Sequence, residues 1–399
     1  MTDAFIAARL RAYAGPTIFS EMTALAQQTG AANLGQGFPD SDGPPELLEA
    51  ARDAIAQGMN QYPPAVGLPA LRAAIAKRRA DDHGVGYDPD EEIVVTAGAT
   101  EAIAAALIGL CDPGDEVVVF DPLYDSYSAC LAMAQVRRVP VLLEYDGTRF
   151  TFDPDALRRA IGPRTKVILL NSPHNPTGKV FEAAELELIA RCCVEHDLIA
   201  VTDEVYEYLV YDRMRHLPLA ALPGMRDRVL SISSAGKTFS STGWKVGWAC
   251  GPARLVSTVR TVKQYLTFGT GTPLQAAVAV GLTTCMPWVE ELRAGLERRR
   301  DLLVAGLRAG GITTYPSNST YFVQMDARSF GSADGQALCR TLVAEAGVAA
   351  IPSVALYDDK AAGRPLVRLA FCKDEEVLAS AARRLADHAR ATSQDPPRK

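Results

Sequence analysis

Residues 166–178 read Lys166-Val-Ile-Leu-Leu-Asn-Ser-Pro-His-Asn-Pro-Thr-Gly178. Lys166 to Leu170 is a short apolar run bounded by turn residues, the signature of a buried strand. Asn171 to Gly178 then breaks into a polar loop stiffened by a Ser-Pro and an Asn-Pro step. The same strand-then-polar pattern recurs on both sides. Upstream, Glu92–Thr96 predicts a strand that runs into Gly98-Ala-Thr-Glu101 and a helix to Leu110, and Glu116–Phe120 predicts a second strand. Downstream, Ala183–His196 carries apolar residues at helical spacing, while Leu198–Thr202 and Val229–Ser233 are strand-like. Strands alternating with helices define an α/β fold: a mostly parallel central sheet with helices on both faces. Such sheets bind ligands at the carboxyl ends of their strands. The polar clusters Gly98–Thr100, Asn171–Gly178, Asp203–Tyr206 and Ser233–Lys237 all follow strands.

Outside this alternating region the pattern changes. Residues 1–45 predict a short helix and then Gly/Pro-rich turns at 35–45. Glu290–Arg308 predicts a long charged helix. Strands near Tyr321–Met325 and Leu366–Phe371 flank a helix around Gln336–Ala346, and a last helix covers Glu375–Arg390. This predicts a large domain over 46–286 and a smaller α+β domain built from 1–45 and 287–399. Thr392–Lys399 reads as a disordered tail.

Composition excludes several classes of function. With 41 Lys+Arg against 47 Asp+Glu, the 399-residue chain carries a net charge of −6, which argues against nucleic acid as a partner. No apolar run approaches the ~20 residues of a membrane span, and residues 1–11 lack the pattern of a secretory signal. Cysteines at 111, 130, 192, 193, 250, 285, 339 and 372 form no Cys-x-x-Cys pair, and the five histidines complete no zinc spacing, so no metal is expected. The cysteines read as small buried hydrophobes in a reducing cytoplasm.

The polar clusters each admit two readings. Lys237 closes the small-residue turn Ser231-Ile-Ser-Ser-Ala-Gly-Lys237. It is either a solvated surface charge or an amine able to join a carbonyl cofactor. Asp203 ends an apolar strand. It either caps a helix or pairs with a cation such as a protonated pyridine. Asn175 lies in a rigid loop that is either purely structural or offers its amide to an oxygen ligand. Gly98-Ala99-Thr100 opens a helix, a plain start or a phosphate site. Tyr124 follows a strand, as a core aromatic or a plate for a planar ligand. Together, in chain order, these form a phosphate cradle, an aromatic plate, an amide, a carboxylate and an amine on one sheet edge.

With these residues the sequence resembles the fold-type-I pyridoxal phosphate aminotransferases of class I/II. Within them it is most similar to the kynurenine/glutamine and N-succinyldiaminopimelate aminotransferases. The resemblance runs from Asn33-Leu-Gly-Gln-Gly-Phe-Pro39 through Asn60-Gln-Tyr62 and Asn175-Pro-Thr-Gly178 to Arg368-Leu-Ala-Phe-Cys-Lys373. It implies pyridoxal 5'-phosphate as cofactor and amino transfer from an L-amino acid to a 2-oxo acid in two half-reactions. It implies Lys237 as the Schiff-base lysine and proton carrier, and Asp203 as partner of the pyridine N–H. Tyr206 and Asn175 are implied to bond the ring oxygen, and Tyr124 to stack on the ring. Gly98, Ala99, Thr100, Ser234 and Lys245 are implied to hold the phosphate. Tyr62 matches a tyrosine that reaches the neighbouring subunit's phosphate, which implies a homodimer. Arg368 matches the arginine that clamps the substrate carboxylate, shared with Asn175 and the backbone at Gly37. A bidentate guanidinium orients a carboxylate better than a lysine does.

Departures from the family concern the substrate. Ile18 stands where some relatives place an aromatic in the side-chain pocket. Asn318-Ser-Thr-Tyr321 replaces a commoner Gly-containing turn, and Gly269-Thr-Gly-Thr272 lies near the pocket wall. The expected donor is glutamine-, methionine- or kynurenine-like, or N-succinyldiaminopimelate. A β- or γ-lyase on the same scaffold is the alternative activity, since it uses the same electron-sink chemistry.

Overall fold

A computed structural model describes residues 5–394; of the tail expected over 392–399, residues 392–394 instead end the last helix, and those beyond Gln394 lie outside the described residues. The stretch quoted first forms a strand over Thr165–Asn171, with Val167 to Leu170 fully buried. Seven strands build the main sheet: β1 (Ile93–Thr96), β2 (Glu116–Asp121), β3 (Arg137–Leu142), β4 (Thr165–Asn171), β5 (Ile199–Asp203), β6 (Val229–Ser234) and β7 (Gly247–Cys250). Their spatial order is β1-β7-β6-β5-β4-β2-β3. All neighbours are parallel except β7, which runs antiparallel to β1 and β6.

Side chains alternate between two cores, as a strand period of two requires. Val117, Val119, Val167, Leu169 and Val201 enter one core with Ile103 and Leu107. Val118, Phe120, Ile168, Leu170 and Ala200 enter the other with Leu71 and Ile75. Burial on both faces explains why these strands read as unbroken apolar runs. Two strands carried no such signal. β3 is an edge strand holding Arg137, Arg138 and Pro140, tolerated there because one side of an edge needs no ladder bond. β7, Gly-Trp-Ala-Cys, is too short to show a period.

Seven helices matter for the site: α1 (Ile18–Thr29), α2 (Pro69–His83), α3 (Gly98–Leu110), α4 (Asp125–Met133), α5 (Ala183–Glu195), α6 (Met286–Ala309) and α7 (Glu375–Gln394). Thr17 caps α1 by accepting the Ser20 N–H, and Gly30 ends it in the left-handed region at φ 68°. A reciprocal Glu182/Glu185 capping box starts α5. The helix expected at Gln336–Ala346 runs from Gly335 to Thr341 and continues as one π turn to Ala346.

A second, antiparallel sheet consists of β8 (Phe322–Asp326), β9 (Ile351–Pro352) and β10 (Leu366–Ala370), ordered β8-β10-β9. Arg368 sits at the centre of β10, opposite Gln324 and Ile351. Met22, Ala26 and Leu34 share a core with Leu303, Val323, Leu369 and Leu385. Ala32–Asn33 also pairs in parallel with Val348–Ala349. The N-terminal segment is thereby packed onto the C-terminal part of the chain.

Candidate active site

Sheet register brings the polar clusters level. Asn171 at the end of β4 lies opposite Asp203 at the end of β5, and Asp203 lies opposite Ile232 in β6. β7 starts at Gly247, opposite both Ser234 and Thr96. A cavity of about 380 Å³ opens at this edge. Gly37, Gly98, Ala99, Thr100, Tyr124 and Asn175 line it, as do Asp203, Tyr206, Ser234, Lys237, Lys245 and Arg368.

One corner of the cavity is built for an anion. Gly98 opens α3 at φ +77°, and a Cβ there would stand 3.0 Å from Lys245 Nζ. A Cβ on Gly247 would come within 2.5 Å of the Gly98 carbonyl carbon and 2.7 Å of the Ala99 nitrogen. Only glycine admits both approaches. The first N–H groups of a helix have no partner inside it, and Gly98, Ala99 and Thr100 line the cavity together with Lys245 and Ser234.

Asp203 faces the middle of the cavity and is buried. No helix follows it, so the helix-cap reading falls away. One carboxylate oxygen accepts the Tyr127 hydroxyl and the other accepts the Val205 N–H at 3.2 Å. Neither partner is a cation. Burial outweighs both bonds and raises its pKa to about 6.

Lys237 lies on the short helical turn Ala235–Thr238 after β6. Its Nζ donates to the Tyr321 hydroxyl at 2.8 Å. Burial lowers its pKa to about 8, with Lys245 and Arg368 adding repulsion and Asp203 opposing them. Near neutral pH a useful fraction of this amine is unprotonated, the form that attacks a carbonyl.

Arg368 is only 2% exposed. Its guanidinium lies 3.9 Å from the Phe322 ring centroid and 5.1 Å from that of Phe19. It donates to Asn175 Oδ1 at 3.1 Å and to the Gly35 carbonyl at 3.0 Å, while its Nε has no partner. Both acceptors are neutral. A buried guanidinium with neutral partners and an idle N–H is set up for an incoming carboxylate. Burial pulls its pKa down to about 10.

The remaining aromatics crowd the cavity walls. Tyr206 is buried and edge-on to Tyr321, ring centroids 5.3 Å apart. Tyr124 meets Tyr127 edge-on at 5.5 Å, and burial raises its hydroxyl to about 12. Two expected residues do not line this cavity. Ile18 packs against the C-terminal core, and its neighbour Phe19 lines the cavity instead, because α1 turns that next position toward Arg368. Tyr62 is 86% exposed, with its ring against Phe268 at 5.6 Å.

Sequence reasoning missed the cavity residues Asn171 and Tyr127, and also Tyr321, which contacts the cavity residues Lys237 and Gly37. Asn171 accepts the Asn175 N–H at 2.8 Å and donates to the Asp203 carbonyl at 3.0 Å, stitching the loop to β5. Tyr127 stands one helical turn after Tyr124, a spacing that could have flagged it. Tyr321 meets Lys237 across 84 positions and Gly37 across 284, and no local signal reports such contacts. Among the described residues no group of three or more His, Cys, Asp or Glu could hold a metal ion, and no helix is long and apolar enough to cross a membrane.

A sheet edge that collects an amine, an uncompensated carboxylate, an anion corner and a buried guanidinium matches one known class. The chain belongs to the aminotransferases of class I and II, whose family model matches residues 29–385. It is a transferase acting on amino acids and 2-oxo acids with pyridoxal phosphate as cofactor. A probable N-succinyldiaminopimelate aminotransferase of Mycobacterium tuberculosis is 53% identical over 94% of this chain and 97% of that one. The solved structure of N-succinyldiaminopimelate aminotransferase from that organism superposes with a TM-score of 0.94, covering 96% of this chain and all of the other. Methionine aminotransferase of Escherichia coli (strain K12) is 40% identical over 93% and 95% of the two chains. Kynurenine–oxoglutarate transaminase 3 of Mus musculus is 37% identical over 91% and 86%.

The residues present fit pyridoxal phosphate. The corner between Gly98 and Lys245 has room that a single Cβ would fill. Asp203 has no cation in hydrogen-bond contact; its two donors are the neutral Tyr127 hydroxyl and Val205 N–H. Lys237 is an amine with a lowered pKa in the same cavity.

Proposed function

We propose that this cavity performs amino transfer with Lys237 as the covalent amine and proton carrier, on an amino acid of the N-succinyldiaminopimelate kind. The observation that carries the reading is Arg368: a buried guanidinium with no carboxylate partner, opening on the same cavity as Lys237 and Asp203. When bound, pyridoxal phosphate supplies a carbonyl that condenses with amines and a ring that accepts the electron pair left at the substrate α-carbon. Gly98, Ala99, Thr100, Ser234 and Lys245 hold its phosphate. Asp203, kept in place by Tyr127, holds a proton on the ring nitrogen. Tyr206 and Asn175 would hold the ring oxygen, and Tyr124 would stack on the ring. Arg368 and Asn175 fix the substrate carboxylate, with the backbone at Gly37 beside it. Lys237 Nζ, once free, would take the substrate α-proton and deliver it to the former carbonyl carbon of the cofactor, on the far side of the shared nitrogen. Fixing carboxylate and ring together sets which α-carbon bond stands across the ring, and so which bond breaks.

The 53% identity to a relative named for N-succinyldiaminopimelate supports that substrate over the glutamine-, methionine- and kynurenine-like donors. Each donor is tested by mixing it with the loaded enzyme and following the visible band. The donor that bleaches it fastest, with recovery on adding a 2-oxo acid, is the substrate. N-succinyldiaminopimelate reacting no faster than methionine overturns that choice. Ammonia released without an acceptor identifies a lyase instead.

The same reading includes a homodimer, a large domain over 46–286 and a small one from 1–45 and 287–399. Exposed Tyr62, Tyr265, Leu266 and Phe268 form an apolar patch that suits a second copy and would bring Tyr62 to its phosphate. Sedimentation of the loaded enzyme as a monomer overturns this. The eight buried, unpaired cysteines support a cytoplasmic setting.

A further inference from the structure

We propose that Tyr321 is a positioning residue for Lys237, tying the free amine to the segment 35–38 that borders the substrate. The inference rests on the reading of Lys237 above.

The direction of the hydrogen bonds carries the case. The Gly37 carbonyl is an acceptor only, and the Tyr321 hydroxyl donates to it at 2.5 Å. The one proton of that hydroxyl is therefore committed. Toward Lys237 the tyrosine oxygen acts as an acceptor, and Lys237 Nζ donates to it at 2.8 Å. An amine that gives one N–H to Tyr321 keeps its lone pair free for the cavity. A hydroxyl free to donate would mask that lone pair.

Packing makes the tie stiff. A Cβ on Gly37 would stand 2.4 Å from the Phe322 ring and 2.7 Å from the Tyr321 ring. The segment at Gly37 therefore lies directly on the two aromatics and leaves no room for a side chain. Further bonds hold the same segment: Arg368 donates to the Gly35 carbonyl, and Lys373 donates to the Phe38 carbonyl at 3.0 Å. The groups proposed to bind the substrate carboxylate and to move the proton thus share one backbone strap. Tyr321 is the link on the Lys237 side.

The charged and titratable groups facing Lys237 are Asp203, Lys245, Arg368, Cys372, Tyr206 and Tyr321. A hydrogen bond accepted from an amine favours its charged form. Losing the Tyr321 oxygen therefore moves Lys237 further down, by about 1 pH unit.

The test uses the full chain loaded with pyridoxamine phosphate, in which Lys237 is not joined to the cofactor. Cyanate carbamylates neutral amines, and mass spectrometry reads Lys237 alone across pH 6–10. Tyr321→Phe is expected to lower the labelling midpoint by about 1 unit and to cut kcat about tenfold with KM for the donor nearly unchanged. Tyr211→Phe is the control. It removes a buried hydroxyl that serves the Thr320 carbonyl and leaves both readouts alone. An unchanged midpoint in Tyr321→Phe, or an equal shift in Tyr211→Phe, overturns the proposal. Failure of the wild-type chain to retain pyridoxamine phosphate would count against the cofactor roles instead.

Discussion

Residues 203–207 serve two opposite sides of the sheet edge. Asp203 and Tyr206 face the cavity, while Glu204 and Glu207 face a buried cluster behind it. Arg79 bridges both glutamates at 2.8 Å, His83 reaches Glu207 at 2.7 Å and His216 reaches Glu204 at 3.3 Å. Thr202, Ser231 and Ser233 donate to the remaining oxygens. All three carboxylates are buried, yet their acidities move apart. Burial pushes Glu204 and Glu207 up, but Arg79 and the histidines win and hold both below their ordinary value. Asp203 has only neutral donors, so burial wins and holds it up. A buried acid with its own cation is a closed structural unit. A buried acid bonded only to neutral donors still has room for a cationic partner.

The strongest break of this contrast is Lys237→Ala. It removes the proposed reactive amine on the open side, and kcat for amino transfer should fall by about 10⁴-fold or more. The visible band of the loaded enzyme should vanish, while thermal unfolding of the cofactor-free chain stays put. A variant that keeps the band removes Lys237 from the mechanism. On the closed side, Arg79→Ala strands two buried carboxylates. Breaking such a unit costs about 3–5 kcal/mol, to be read from denaturant unfolding. A loss under about 1 kcal/mol would mean that the cluster is not a unit.

The two sides also differ in pH response. Asp203 has a folded pKa of about 6 against an ordinary 3.8. A raised folded value favours the folded chain while the group is protonated. That contribution is full below about pH 3.8 and is lost as pH rises through about 6, a change of about 3 kcal/mol. The glutamates run the other way: their contribution is full above the ordinary 4.5 and is lost only as pH falls through their lowered values. Of these three carboxylates, Asp203 is the one that titrates between about pH 4.5 and 6. In the cofactor-free chain, unfolding free energy should show this downward slope in the wild type and a clearly smaller one in Asp203→Asn, since buried Asp121 and Asp125 are also raised. Equal slopes in both would put the titration elsewhere.

Much of this was legible in the sequence because it is local. Apolar runs followed by polar turns marked β1, β2, β4, β5 and β6 together with the loops that end them. The cavity residues Lys237, Asp203, Asn175 and Gly98 stand at those strand ends. What escaped was set by distant packing. β7 is strand-like only through its two neighbours, and Tyr321 reaches Lys237 from the turn that precedes β8. Phe19 lines the cavity where Ile18 does not, because a helix face is fixed by what it packs on. The Arg79 cluster gave no signal either, since its glutamates are interleaved with the cavity residues Asp203 and Tyr206 and look the same in sequence.

The finest comparison lies between two adjacent serines of β6. Ser233 points back and donates to Glu207 at 2.5 Å. Ser234 points forward and lines the cavity beside Lys245. The strand period of two is the only reason they differ. Ser233→Ala removes a hydrogen bond to a buried charge, so it should cost about 1.5–3 kcal/mol of stability with pyridoxal phosphate affinity unchanged. Ser234→Ala removes a hydroxyl proposed to meet the phosphate. It should leave the cofactor-free chain within about 0.5 kcal/mol of wild type and weaken cofactor retention about tenfold, which is about 1.4 kcal/mol. Unfolding and cofactor titration on both variants give four numbers. If both serines changed the same quantity, the division between a closed back and an open front would be wrong at the strand where it is drawn most tightly.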